Sequence, residues 1–122
     1  MLLSLDRRVR RAASLALIVA TGCAATACAT PASVCPQRGH ARVQQIDIFD
    51  GNPKDQAFLA PDDPDKAPDS YTLGPILDHG GKVTVRCHYD DDVVRDVALT
   101  SHERTCRYLE PQGRVSAALI CK

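Results

Sequence analysis

The sequence predicts an α+β or mainly β fold: a small antiparallel meander sheet with one short helix, stabilised by two disulfides. Three observations carry this expectation. Residues 82–89 alternate between polar and apolar side chains, short strand-like runs joined by polar turns follow them, and residues 30–122 hold four cysteines, Cys35, Cys87, Cys106 and Cys121. Strict alternation is the mark of a strand with one face buried, and a small domain with a thin core gains most from cross-links.

Along the chain, the Thr, Pro, Ala and Ser content of residues 30–39 reads as a lead-in pinned at Cys35-Pro36. Residues 43–49 (VQQIDIF) read as a strand with Ile46 and Ile48 on one face, closed by the turn signal Asp50-Gly51. Asn52-Pro53 then has the order of a helix start, an amide-accepting cap followed by a residue that needs no donor, and the expected helix runs to about Leu59 before Pro61 stops it. Residues 60–70 form an acidic loop carrying Asp62, Asp63, Asp65 and Asp69. Tyr71 to Leu73 reads as an edge strand limited by Pro75, and residues 78–81 (DHGG) as a turn.

The clearest strand follows. Lys82, Thr84, Arg86 and His88 form a wet face, while Val83, Val85, Cys87 and Tyr89 face the core. Asp90 to Asp92 reverse the chain, Val93 to Leu99 returns, Cys106 to Leu109 begins another strand, and Val115, Ala117, Leu119 and Cys121 line one face of the last. Four consecutive strands joined by polar turns suggest a single meander. Sequence alone leaves three cysteine pairings open. The favoured one joins Cys87 to Cys106 and Cys35 to Cys121, tying the ends of the domain together. No C-x-x-C spacing supports the rival reading, a zinc site.

Residues 1–29 read as an export signal and residues 30–122 as the single domain. Met1 to Arg11 is positively charged, and Ala12 to Ala20 is an uncharged apolar run too short to span a bilayer, which takes about 20 residues. Ala25-Thr26-Ala27 and Ala27-Cys28-Ala29 fit a signal-peptidase site, giving a periplasmic or secreted product. Val19-Ala20-Thr21-Gly22-Cys23 resembles a bacterial lipobox, with Ala20 where leucine is usual, and makes Cys23 the candidate lipidation site of an envelope-anchored product. Cutting after Ala29 leaves an even set of cysteines, whereas lipidation at Cys23 leaves Cys28 unmatched; this favours the soluble form, although lipidation at Cys28 would also leave four. The membrane enters only through the signal peptide or such an anchor.

Although the whole chain is formally neutral, residues 30–122 carry 11 basic and 14 acidic side chains. That balance, with no basic patch and no Trp, opposes nucleic-acid binding. A hydrolase would require a nucleophile beside a base. His40, His79, His88 and His102 are available, but Ser33, Ser70, Ser101 and Ser116 sit in no recognisable nucleophile turn, so no catalytic residue is assigned. His88 with Asp90 and Asp92 is a weak candidate metal site, set against the ordinary use of aspartate in turns. The 62–69 aspartates lack the spacing and closing glutamate of an EF-hand loop. No cofactor is expected.

Cys35-Pro36, residues 48–53 (IFDGNP), residues 57–62 (AFLAPD), Tyr71-Thr72-Leu73, residues 85–89 (VRCHY) and the single cysteines at 106 and 121 occur in an order that resembles a family of small secreted proteins of Gram-negative bacteria designated by the locus-tag prefix STY. Tyr71 stands where that family commonly has Trp. The resemblance implies a signal peptide and one domain with paired cysteines, and it supplies no catalytic residues. The expected function is that of a non-enzymatic envelope or secreted binding protein, presenting loops 50–70 and 90–92 to an unknown envelope or extracellular protein. The alternatives are a periplasmic inhibitor of a lysozyme or protease, a lipid-anchored lipoprotein beginning at Cys23, and a hydrolase with an unfamiliar site.

Overall fold

The structure, a computed structural model, describes residues 32–122. The leader, its cleavage sites and Cys23 lie outside the described residues. Two three-stranded antiparallel sheets share one core. The first has β3 (Val83–Tyr89) at its centre, between β1 (Val43–Asp50) and β4 (Val94–Ala98); the second has β5 (Thr105–Leu109) between β2 (Ser70–Thr72) and β6 (Ala118–Cys121). A five-residue helix, α1 (Gly74–Asp78), follows β2. The fold class is the expected one, with the strands divided between two sheets instead of running as one meander.

The alternation read in 82–89 is the organising feature of the first sheet. Val83, Val85, Cys87 and Tyr89 are buried, and the residues between them are half-buried on the opposite face. Ile48 on β1 and Leu119 and Cys106 on the second sheet close over the buried side, joined by Leu73 and Ala117. Fully burying each such aliphatic side chain contributes about 1.5–3 kcal/mol. The turn between β3 and β4 is tight because Asp92 adopts a left-handed conformation, φ 65°, which aspartate tolerates better than a branched residue. The chain leaves the first sheet after the Leu99 amide bonds to the Val83 carbonyl, turns where the Glu103 carboxylate accepts from the Thr100 amide and hydroxyl, and enters the second sheet at β5. That turn divides the expected meander.

The helix expected after Asn52 is a single 3₁₀ turn, Pro53–Asp55. The cap is as read, with the Lys54 amide donating to Asn52 Oδ1 at 3.0 Å. Gln56 ends the turn in a left-handed conformation, φ 54°, and residues 57–59 return antiparallel to β1: the Asp50 amide bonds to the Ala57 carbonyl and the Leu59 amide to the Ile48 carbonyl. Extension wins because it lays Phe58 on Phe49, with ring centroids 4.5 Å apart. The true helix, α1, has its signal in Pro75 near its start and Gly80-Gly81 beyond its end. Gly80 at φ 76° carries the chain out of the helix, its amide bonding the Leu77 carbonyl while the Gly81 amide bonds the Ile76 carbonyl, the paired bonds of a Schellman ending. A Cβ on Gly81 would lie 2.7 Å from the Ile76 carbonyl oxygen, so this glycine is also required sterically.

The disulfides join Cys35 to Cys87 and Cys106 to Cys121, correcting the expected pairing. Cys106 and Cys121 lie directly opposite one another on β5 and β6, with Cα atoms 4.1 Å apart, next to the mutually hydrogen-bonded pair Thr105 and Lys122. That is the closely spaced, non-hydrogen-bonded position of an antiparallel ladder. Cys35 instead lies over Cys87, held there because the Val34 amide bonds the Leu119 carbonyl and the Tyr89 hydroxyl donates to the Pro36 carbonyl. Tying the two ends of the domain to each other would pull Cys121 off the ladder.

Most sheet edges are covered. Residues 57–59 shield β1, the Asp62 carboxylate accepts from the Thr72 amide and hydroxyl beside β2, and the lead-in bonds to β6. The outer edge of β4, with charged Arg95 and Asp96 in its middle, has no strand beside it among the described residues.

The loop-closure relation gives about 4 kcal/mol for a 52-residue separation and about 3 kcal/mol for a 15-residue one. Denaturant unfolding of the Cys35→Ala/Cys87→Ala and Cys106→Ala/Cys121→Ala variants should therefore show the greater loss in the first. Mapping of unreduced peptides should recover the 35–87 and 106–121 links; recovery of a 35–121 link would contradict this connectivity.

Candidate functional site

Four of the residues considered for chemistry, Ser33, Ser116, His79 and His88, are engaged in structural bonds. The Ser33 hydroxyl accepts from the amides of Cys35 and Leu119, and the Ser116 hydroxyl accepts from the Val43 amide. His79 Nδ1 lies 2.6 Å from the Pro75 carbonyl oxygen, and His88 Nε2 lies 2.8 Å from Asp47 Oδ2. Among the described residues no histidine is hydrogen-bonded to a serine side chain. The candidate metal residues are separately occupied as well: His88 bonds Asp47, Asp90 pairs with Arg42, and Asp92 forms the turn. Among the described residues no group of three or more His, Cys, Asp or Glu side chains is placed to hold a metal ion.

Two surfaces stand out. One is the outer face of the first sheet. Phe49 on β1 is buried under Phe58, which is itself 61% exposed, and the Arg86 guanidinium lies 5.5 Å from the Phe49 ring centre. Arg86 donates to both carboxylate oxygens of Asp96 at 2.8 and 2.9 Å. Alongside, Gln45 Nε2 donates to Asp47 Oδ1 at 2.9 Å, and Asp47 bonds His88 through its other oxygen. The charges on this face are thus matched pairwise. In the reversal at 90–92, Asp91 pairs with Arg38 and Asp90 with Arg42.

The second surface is a groove of about 610 Å³ between residues 67–69 and the hairpin joining β5 to β6. The Tyr108 amide bonds the Asp69 carbonyl and sets residues 67–69 beside β5. Across the groove, Val115 is 67% exposed and Leu109 is 38% exposed. The sequence pattern placed Val115 with Ala117 and Leu119 on the core face. A tight turn intervenes, closed by reciprocal hydrogen bonds between Gln112 and Val115 with Gly113 at φ 54°, so β6 begins only at Ala118 and Val115 lines the groove.

The groove's two charged lining residues, Asp69 and Glu110, are both acidic, and neither is in an ion pair among the described residues. Burial first, then the carboxylates of Glu110, Asp69 and Asp47, push the Tyr108 phenol above its ordinary pKa. Burial and then Asp69, the neighbouring Tyr108, Asp47 and Asp62 do the same for Tyr71. Together these residues make a concave surface lined by Leu109, Val115 and two carboxylates. Its one serine, Ser116, is held by the Val43 amide, from which its hydroxyl accepts. Of the expected presenting loops, 50–70 contributes to both surfaces through Phe58 and Asp69, whereas 90–92 is tied down by arginines.

The family described as type VI secretion system Tli immunity protein matches residues 37–122. The match takes in all six strands and both surfaces and begins just after Cys35. No curated protein and no solved structure matches the chain.

Hydrogen bonds from Arg86, Arg38 and Arg104 hold Asp96, Asp91 and Asp78 respectively below the ordinary carboxylate pKa. A lowered folded-state pKa adds stability that is present above the unfolded value and lost as pH falls through the folded one. The melting temperature should therefore drop between about pH 5 and about pH 2, and Asp96→Asn should make that drop smaller. The pairs are largely exposed, so added salt should shrink the effect further. Identical acid profiles for Asp96→Asn and the parent would show that the Arg86 pair carries no pH-dependent stability.

Proposed function

Since this chain belongs to the family of type VI secretion system Tli immunity proteins, we propose that it protects the cell that makes it by binding a toxic effector delivered by such a system and blocking that effector's action. The family match across residues 37–122 carries the reading. The protein acts by occupancy: a rigid surface meets the effector, and affinity with slow release does the work that a catalytic site would do elsewhere. Two disulfides on a small domain suit an oxidising compartment. We place the encounter in the periplasm, where a leader at 1–29 would deliver the chain. The resemblance to the secreted family with prefix STY enters this reading through the leader and paired cysteines that it implies.

The expectation of a periplasmic inhibitor agrees with this reading in its broad form, a non-enzymatic protein directed at a protein partner. The effector's own reaction is a separate matter, to be read from what accumulates in an attacked cell: cut peptidoglycan, cut protein or cut phospholipid.

The test is competition between sister cells. A strain lacking this gene should be killed by a parent attacker with a working type VI apparatus, survive an attacker without one, and regain survival when the full chain is restored. Equal survival with and without the gene would overturn the proposal. A second measurement addresses delivery: the intact mass of protein purified from the envelope should equal residues 30–122 less the hydrogens of two disulfides. An acylated Cys23 at the amino terminus would instead identify an anchored form.

A further inference from the structure

We propose that the groove between residues 67–69 and the β5–β6 hairpin is where the effector docks, and that the effector fills it with an apolar side chain flanked by arginine or lysine. This inference rests on the immunity reading and adds the surface and the chemistry of the partner.

Shape and composition make the first argument. The groove, about 610 Å³, is large enough for a side chain with its neighbours, and its lining includes Leu109 and Val115, two of the large apolar side chains left exposed. Val115 is not exposed for want of a core position nearby, since Ala117 and Leu119, two and four residues later, are almost wholly buried. The turn at 112–115 holds it out at the groove wall.

Charge makes the second. Asp69 and Glu110 have no ion-pair partner among the described residues; other acids, such as Asp63 and Asp65, are likewise unpaired, but these two line the groove beside Leu109 and Val115. Both carboxylates line the groove together with Tyr108. An incoming guanidinium or ammonium would gain charge-assisted hydrogen bonds from them and could rest on the tyrosine ring. Unpaired acids at the rim of an apolar pocket also raise the encounter rate of a basic partner and repel an acidic one.

The competing surface lacks this combination. On the outer face of the first sheet the aspartates already have His88 and Arg86, so a partner's cation would have to displace a bond that exists. The opening beside Arg38 and Asp91 has its charges matched in the same way.

The full chain in the competition assay provides the test. Asp69→Lys combined with Glu110→Lys, and separately Val115→Asp, should weaken effector binding about tenfold or more and so lower survival of the defended cell, with the neutral pair Asp69→Asn/Glu110→Gln intermediate. Phe58→Ser, on the other sheet, should protect as the parent does. Melting temperature and periplasmic level of each variant are measured alongside, and the substituted side chains are exposed or half-buried. A photo-crosslinking residue placed at 115, but not at 58, should form an adduct during attack whose effector peptide carries Arg or Lys beside an apolar residue. If the gene-deleted strain is killed while every groove variant protects fully, the docking surface is wrong and the immunity function stands. If adducts form only from position 58, or the captured peptide has no basic residue, the proposal is overturned. A deletion strain that survives attack overturns the immunity reading itself.

Discussion

The lead-in segment is the constraint on which the two-sheet architecture depends. Three short strands cannot bury much on their own, and each sheet here has only one apolar face to offer. Within three residues the chain bonds β6 through the Val34 amide, bonds β3 covalently through Cys35, and accepts the Tyr89 hydroxyl at the Pro36 carbonyl. Ser33 adds a hydroxyl that satisfies two amides at once. The clasp therefore touches the centre of one sheet and the edge of the other. Val83, Val85 and Cys87 face Leu119 and Leu73 across a core too thin to orient the sheets by packing alone.

Much of this arrangement was legible because burial on one face leaves a two-residue rhythm. Val83 to Tyr89 shows that rhythm and forms the central strand as read, with both of its neighbours antiparallel. Asn52-Pro53 was correctly read as a cap and first turn, yet its length was decided elsewhere, by the value of laying Phe58 over Phe49. Local capping chemistry says where a helix can start; it does not weigh helix against pairing back onto β1 through Phe49 and Phe58. The cysteine pairing depended on the same kind of non-local fact. Which cysteines oppose each other follows from the register of β5 on β6, and one misplaced turn shifts that register.

The candidate groove was the least legible part, for a related reason. Its acidic members were visible only as part of a polar loop, and Val115 was assigned to the core because it continues the spacing of Ala117 and Leu119. Alternation cannot reveal a turn that interrupts it when the turn residues, Gln112 to Val115, keep the parity of the strand. Gly113 in a left-handed conformation is the local sign that a turn lies there, and it places the strand start after Val115. The exposed apolar residue then marks a surface instead of a core.

The open edge of β4 bears on how such a protein behaves at high local concentration. Alternation along β3 leaves the backbone groups of Val94, Asp96 and Ala98 facing outward, a short row on which a second strand could hydrogen-bond. A second copy approaching antiparallel about Asp96 would set two aspartates opposite each other, and a slide of two residues would set Arg95 against Arg95. Those two registers set like charges opposite each other, which disfavours them relative to a neutral pairing.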